Sequence, residues 1–202
     1  MAAGVADIYI EQGATYSRTL TLMAQKATTY AVTDSTGYII GSTSIVLPAG
    51  GSGVIAAGDY VSFTGSDGTA TKQYLVATGV ASLATGGTLV LSSGLESALL
   101  AEANTINVYS PTDLTGYTAR GKIKSGATST TTIVSFTTDI PTFTDGKITI
   151  SLTATQTASI TTTGEKYSSL TKYYYDVEIE DGSGVVTRVL NGIARVSPEI
   201  TK

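Results

Sequence analysis

The chain predicts an all-β protein: an antiparallel β-sandwich interrupted by a smaller inserted β module. Three observations carry this. Runs of alternating apolar and polar residues recur along the chain, and in the last third each is closed by a turn signal. The clearest hairpin joins residues 173–180 to 185–196 through Asp181-Gly182-Ser183-Gly184. Between residues 27 and 110 the texture changes to Gly, Ala, Ser and Thr, with Lys72 as the one base.

The elements follow in order. Residues 7–23 read as one long strand or two joined ones, in which Ile8 and Ile10 flank Tyr9 and Leu20 and Leu22 resume the pattern. Gln12-Gly13-Ala14 marks a bulge or kink, because glycine relaxes the backbone there. Within residues 27–110 the strand candidates are 44–47, 59–64, 73–78, 88–92 and 105–109. Gly50-Gly51, Asp67-Gly68 and Gly86-Gly87 punctuate them as turns. Residues 95–103 predict a short helix capped by Ser92 or Ser93, with Leu95, Leu99 and Leu100 as its apolar stripe. Five strands and one helix suit a small barrel or sandwich.

Strands resume at 117–123, 132–137 and 147–152. Residues 153–160 then predict a helical turn, since Thr153 with Gln156 three residues on approximates a capping box. In the last hairpin Tyr173, Tyr175, Val177 and Ile179 share one face, and Tyr174, Asp176, Glu178 and Glu180 the other. Leu152, Tyr175, Val177, Ile179, Val189 and Leu190 are the predicted core.

Composition narrows the function. Of 202 residues, 42% are hydrophobic, enough for a packed core, while charged residues are only 14%, well under the roughly 25% of ordinary domains. Surface polarity therefore falls to Ser, Thr, Gly and Asn. Net charge is −4, so a nucleic-acid partner is not expected; a binder of that kind shows a basic stripe. The nearest approach, Arg120, Lys122 and Lys124, reads as a solvated strand face. No membrane partner is expected, because apolar runs fall far short of the ~18–20 residues of a span. The N-terminus lacks the features of a signal peptide. Cysteine, histidine and tryptophan are all absent. That removes disulfides, imidazole acid–base work and the usual zinc ligands.

Several pieces of residues 115–201 resemble the Ig-like β-sandwich of tailed phages, related to the N-terminal domain of phage baseplate upper proteins. They are Asp113-Leu114-Thr115-Gly116-Tyr117-Thr118-Ala119, Gly146-Lys147-Ile148-Thr149-Ile150-Ser151-Leu152-Thr153, Tyr175-Asp176-Val177, and the stretch from Gly192 to Thr201. In such proteins a first strand like residues 7–22 precedes the Leu-Thr-Gly element after a short turn. Here residues 27–110 replace that turn. The resemblance therefore implies an Ig-like sandwich of residues 1–26 with 111–202, and an inserted module at 27–110. It also implies a non-enzymatic virion structural protein present in many copies, assembled in the host cytoplasm with other virion proteins. The favoured position is the tail or baseplate, linking the core to fibres or receptor-binding proteins. A capsid decoration or head–tail neck protein is the alternative, and a carbohydrate-binding adhesin a further one.

No catalytic site and no cofactor are expected. Asp176, Glu178 and Glu180, with Asp181, form the one carboxylate cluster. Same-face neighbours on a strand stand ~6.6–7 Å apart, a spacing open to a cation or a glycosidase pair, but the simpler reading is an outward face paired to bases. Gly50-Gly51-Ser52-Gly53 lacks the Lys-Ser/Thr and helix of a phosphate loop and reads as a surface loop. Contact candidates are Gly50, Gly51, Ser52 and Gly53, then Ser66, Asp67, Gly68 and Thr69, and the exposed Tyr174.

Overall fold

The computed structural model describes residues 3–26, 30–33, 37–65, 68–99, 103–164 and 166–199. Its strands run β1 (Gly4–Val5), β2 (Ile8–Glu11), β3 (Tyr16–Thr21), β4 (Met23–Gln25), β5 (Tyr30–Thr33), β6 (Ser44–Leu47), β7 (Tyr60–Thr64) and β8 (Tyr74–Thr78). Then come β9 (Gly87–Leu91), β10 (Ala103–Pro111), β11 (Thr118–Lys124), β12 (Thr132–Ser135), β13 (Thr137–Asp139), β14 (Lys147–Leu152), β15 (Thr171–Glu180) and β16 (Val186–Ser197). One α-helix, α1 (Ala154–Ala158), lies among them. The fold is all-β. The chain divides into two compact units, Met1–Leu22 with Asp113–Lys202, and Met23–Thr112. The divisions fall at 22/23 and 112/113 rather than at 26/27 and 110/111. The reason is pairing: β4 lies antiparallel to β10, with Met23 opposite Pro111.

The discontinuous unit is a sandwich. One sheet has the order β1-β16-β15-β11-β12, with β2 also on β16; the other has β13-β14-β3. The first strand serves both sheets. Ile8 and Ile10 are buried as β2 runs beside β16. The chain then kinks, and β3 pairs with β14, Tyr16 opposite Leu152. Gly13 makes the kink at φ +81°, and a Cβ there would stand 2.4 Å from the Glu199 carboxylate. The Gln12 side chain fixes the corner: its Nε2 donates to Ile160 O at 2.8 Å, and its Oε1 accepts from Glu199 N at 3.0 Å. One expectation is corrected here. The sandwich is not wholly antiparallel, since β1 and β2 both lie parallel to β16. A first strand laid along the last strand of the same sheet has no hairpin to reverse it.

Between the sheets lie Ile123, Ile148, Ile150, Leu152, Val177, Ala194 and Val196, all almost fully buried. Every predicted core residue is buried there, from Val177 at 0% exposure to Leu190 at 8%. Val189 and Leu190 are adjacent on one strand, and both are buried because of a bulge. Val177 faces Leu190 but Glu178 faces Arg188, so Val189 is the extra residue. Ile179→Ala should lower stability by about 2–5 kcal/mol; an unchanged melting temperature would remove Ile179 from the core. The helix begins as its sequence predicts. Thr153 Oγ1 accepts from Gln156 N at 3.2 Å, and Gln156 Oε1 accepts from Thr153 N at 2.8 Å.

The inserted unit has the strand order β4-β10-β7-β8-β9-β6, with β5 also on β10. Its core includes Ile45, Leu47, Val61, Phe63, Leu83, Leu89, Ile106 and Val108. The predicted helix over 95–103 is absent among its described residues; Ala103 already lies in β10, and Leu100, Glu102 and Ala101 fall outside them. Leu95 and Leu99 are buried as their spacing suggested. Their backbones, however, bond to another segment. Leu95 N donates to Ser42 O at 3.0 Å, while Tyr38 and Leu99 exchange N–H···O bonds of 2.8 Å. Once that segment takes these amides, no i→i−4 ladder can form.

Candidate functional site

The outer face of β11, β15 and β16 carries Arg120, Lys122, Lys124, Asp176, Glu178, Glu180 and Arg188. Register dictates three rungs across these strands. Arg120, Glu178 and Arg188 form the first; Lys122, Asp176 and Asn191 the second; Lys124, Tyr174 and Ile193 the third. The bulge at Val189 sets the second and third rungs, because it restores Asn191 and Ile193 to the outer face.

On the first rung the acids meet arginines. Arg120 Nε lies 3.0 Å from Glu178 Oε2 and its Nη1 2.9 Å from Glu180 Oε2. Arg188 Nε lies 3.4 Å from Asp176 Oδ2, and its Nη2 3.7 Å from Glu178 Oε1. Asp176, Glu178 and Glu180 are thus interleaved with two guanidinium groups. Among the described residues no group of three or more acids is arranged to hold a metal ion. Asp181 turns away into the hairpin loop, where its Oδ1 accepts from Ser183 N at 2.8 Å and Val185 N at 2.9 Å.

The other two rungs are different. Here the face sinks into a groove of about 340 Å³, bordered by Lys122, Lys124, Gly126 and Ala127 on one side and Arg188, Asn191 and Ile193 on the other. Among the described residues no carboxylate lies within 4 Å of either lysine amine. Tyr174 is 46% exposed beside them. Its neighbours Tyr173 and Tyr175 point inward, where their hydroxyls donate to Thr161 O at 2.5 Å and Ala6 O at 2.7 Å. Burial pushes the Tyr175 phenol up to about 12. Asn191 Oδ1 is buried with no hydrogen-bond partner, which is uncommon for a buried acceptor.

The loop candidates belong to the inserted unit. Gly50, Ser52 and Gly53 are exposed and Gly51 half-buried. The loop is tied down by its backbone: Gly51 N donates to Leu83 O and Leu83 N to Gly53 O, both at 3.0 Å. Gly68 and Thr69 are exposed on a turn where Gly65 N donates to Thr69 O at 3.1 Å. Ser66 and Asp67 lie outside the described residues.

The structure brings Tyr174 and Asp176 together with Lys122 and Lys124, whose stripe reads in the sequence as a solvated face. Arg188 and Asn191 were missed altogether. Alternation alone gives the wrong parity on one side of an unseen bulge, so only a predicted bulge at Val189-Leu190 could have placed both on this face. Searches of the chain against family models and against curated proteins give no match.

Proposed function

We propose that this chain is a non-enzymatic structural subunit of a tailed-phage virion, a tail or baseplate component that joins the tail core to fibres or receptor-binding proteins. The reading rests on the Leu114-Thr115-Gly116 element and the strands around it, together with one observation of the surface. Part of the charge on the sandwich lies in an arginine–carboxylate ladder, while large apolar side chains stand in solvent. Val5 is 79% exposed and Tyr9 64% on the strands beside β16; Ile39 is 78% and Ile40 65% exposed in the inserted unit. Exposed apolar side chains of this size suit burial against neighbouring subunits, and few charges are present to set specificity. The edge strand β12 adds unpaired backbone groups that another chain can meet.

The test is localisation and incorporation. Cryo-EM of intact particles should place the chain at the tail end. Density on the capsid shell or at the neck would favour the decoration or neck role, and absence from particles would reject the virion reading. Paired charges at the exposed sites, Val5→Asp with Tyr9→Asp and separately Ile39→Asp with Ile40→Asp, should leave the melting temperature unchanged and reduce incorporation. Asp176→Asn with Glu178→Gln should leave assembly intact; loss of a hydrolytic activity in that variant would overturn a structural role.

A further inference from the structure

We propose that the groove on the outer face of β11, β15 and β16 is a binding site for an anionic sugar unit, a hydroxylated ring bearing a carboxylate or a phosphate. This does not depend on the virion reading. Three features select the ligand, each by its own chemistry. Charge comes first. The groove presents Lys122, Lys124 and Arg188 against the single carboxylate of Asp176. Asp176 is engaged by Arg188, and neither lysine has a carboxylate partner among the described residues. In a protein of net charge −4 with so few bases, two lysines bordering one cavity without a carboxylate partner among the described residues are an uncommon concentration of positive charge. They suit an acid group, which accepts short charge-assisted hydrogen bonds from both.

Hydrogen bonding comes second. The Asn191 amide has a buried oxygen without a partner at the groove wall. A carboxylate alone would not satisfy it, because the ionised group offers only acceptors. The oxygen is enclosed as the side chain stands, so a turn of the amide is what brings it to a ligand hydroxyl, which both donates and accepts and serves either orientation. Shape comes third. Tyr174 is half-exposed on the groove surface between Lys124 and Ile193, and its phenol ring offers an apolar surface with a polar rim. The apolar face of a pyranose fits against such a ring. A volume of about 340 Å³ lies at the lower end of small-ligand sites, roughly 300–1,000 Å³, room for one or two sugar rings. Gly126 and Ala127 at the rim carry little side chain and leave the mouth open. An acidic protein segment would satisfy the lysines but leaves Asn191 and the Tyr174 ring without a specific counterpart.

Titration of the intact chain, followed by amide NMR at low salt, tests this with defined probes: glucuronate, glucose 6-phosphate, glucose, inorganic phosphate and a short oligoglutamate peptide. Either or both sugar acids should give saturable shifts at Lys122, Lys124, Tyr174 and Asn191, and comparing them tells a carboxylate source from a phosphate source. Glucose and inorganic phosphate should each bind more weakly than the preferred sugar acid. Lys122→Ala with Lys124→Ala should reduce that affinity about tenfold, as expected for two partly exposed charge contacts. Tyr174→Ala should narrow the preference for the sugar acid over inorganic phosphate. All three positions are at the surface, so an unchanged melting temperature verifies that the variants fold. Inorganic phosphate binding as tightly as the sugar acids would reduce the site to bare charge and overturn the proposal. So would tighter binding of oligoglutamate, undiminished affinity in the double lysine variant, or no saturable shift with either sugar acid.

Discussion

Phe136→Ala is expected to destabilise the sandwich by about 3–5 kcal/mol, the cost of removing a large aromatic ring from a core that cannot close over the gap. At roughly 2–4 °C per kcal/mol for a chain of this size, the melting midpoint should fall by about 10 °C. Phe136 sits where the chain leaves one sheet for the other, between β12 on β11 and β13 on β14. Its amide donates to Gly121 O at 2.9 Å, so the backbone is fixed and the ring has one place to go. There it meets Tyr16 at 6.2 Å between centroids and Tyr175 at 6.2 Å and 77°, an edge-on geometry that adds to simple burial. Gly121 makes the room: a Cβ there would lie 3.0 Å from Phe136 Cδ2 and 3.1 Å from Asp176 O. Phe136→Leu, which refills much of the volume, should recover most of the loss. A loss below about 1 kcal/mol for the alanine variant would mean that the corner is not held by this ring.

That corner also shows where sequence reading reaches its limit. Residues 132–137 read as one strand, and the alternation within them is real. It does not say that the strand breaks at Phe136 and that its two halves join different sheets. The same holds at Gly13, where a kink was legible and the change of sheet was not. Elements whose two faces differ in polarity were readable almost residue for residue. β14 is one case, with Ile148, Ile150 and Leu152 inward, and β15 is another. The helix expected over 95–103 failed because i, i+4 leucines are buried equally well in an irregular segment bonded to a neighbour. The groove failed to register for a related reason: it depends on three strands from distant parts of the chain being in register, and on one bulge. Lys122, Tyr174 and Asn191 are adjacent in space only after β11, β15 and β16 have paired.

Replacing Asp59 by Asn should cost the inserted unit about 3 kcal/mol and flatten part of its acid denaturation. Asp59 is 4% exposed, and its carboxylate joins three pieces of chain. Lys26 Nζ lies 2.6 Å from Oδ2, the Ser110 hydroxyl donates to Oδ1 at 2.6 Å, and Ala56 N donates to Oδ2 at 2.8 Å. Lys26 follows β4 and Ser110 lies on β10, so one buried carboxylate ties both strands to the turn before β7. Asparagine keeps the shape but loses the charge, and it turns a donor toward donors. Breaking a buried pair from one side typically costs about 3–5 kcal/mol. The lower end applies because the Lys26 side chain is 32% exposed and can turn to water. The pH dependence follows from the direction of the shift. Burial by itself raises the Asp59 pKa, but the Lys26 ammonium, the Ser110 hydroxyl and the Ala56 amide outweigh it and hold the group below its ordinary 3.8. The unfolded chain therefore binds this proton more readily than the folded one. The stabilisation is complete above the unfolded value and is lost as pH falls through about 4 and on past the folded value. Asp7, lowered by its hydrogen bond to Arg195, and Asp113, lowered by the Thr115 hydroxyl, work in the same sense in the sandwich. The comparison to make is thus the difference between wild type and Asp59→Asn in urea unfolding, followed from pH 7 down to about pH 3. That difference should be largest at neutral pH and shrink as the medium is acidified through about pH 4; a constant difference across the range would show that the carboxylate's charge is not what holds Lys26 and Ser110 together.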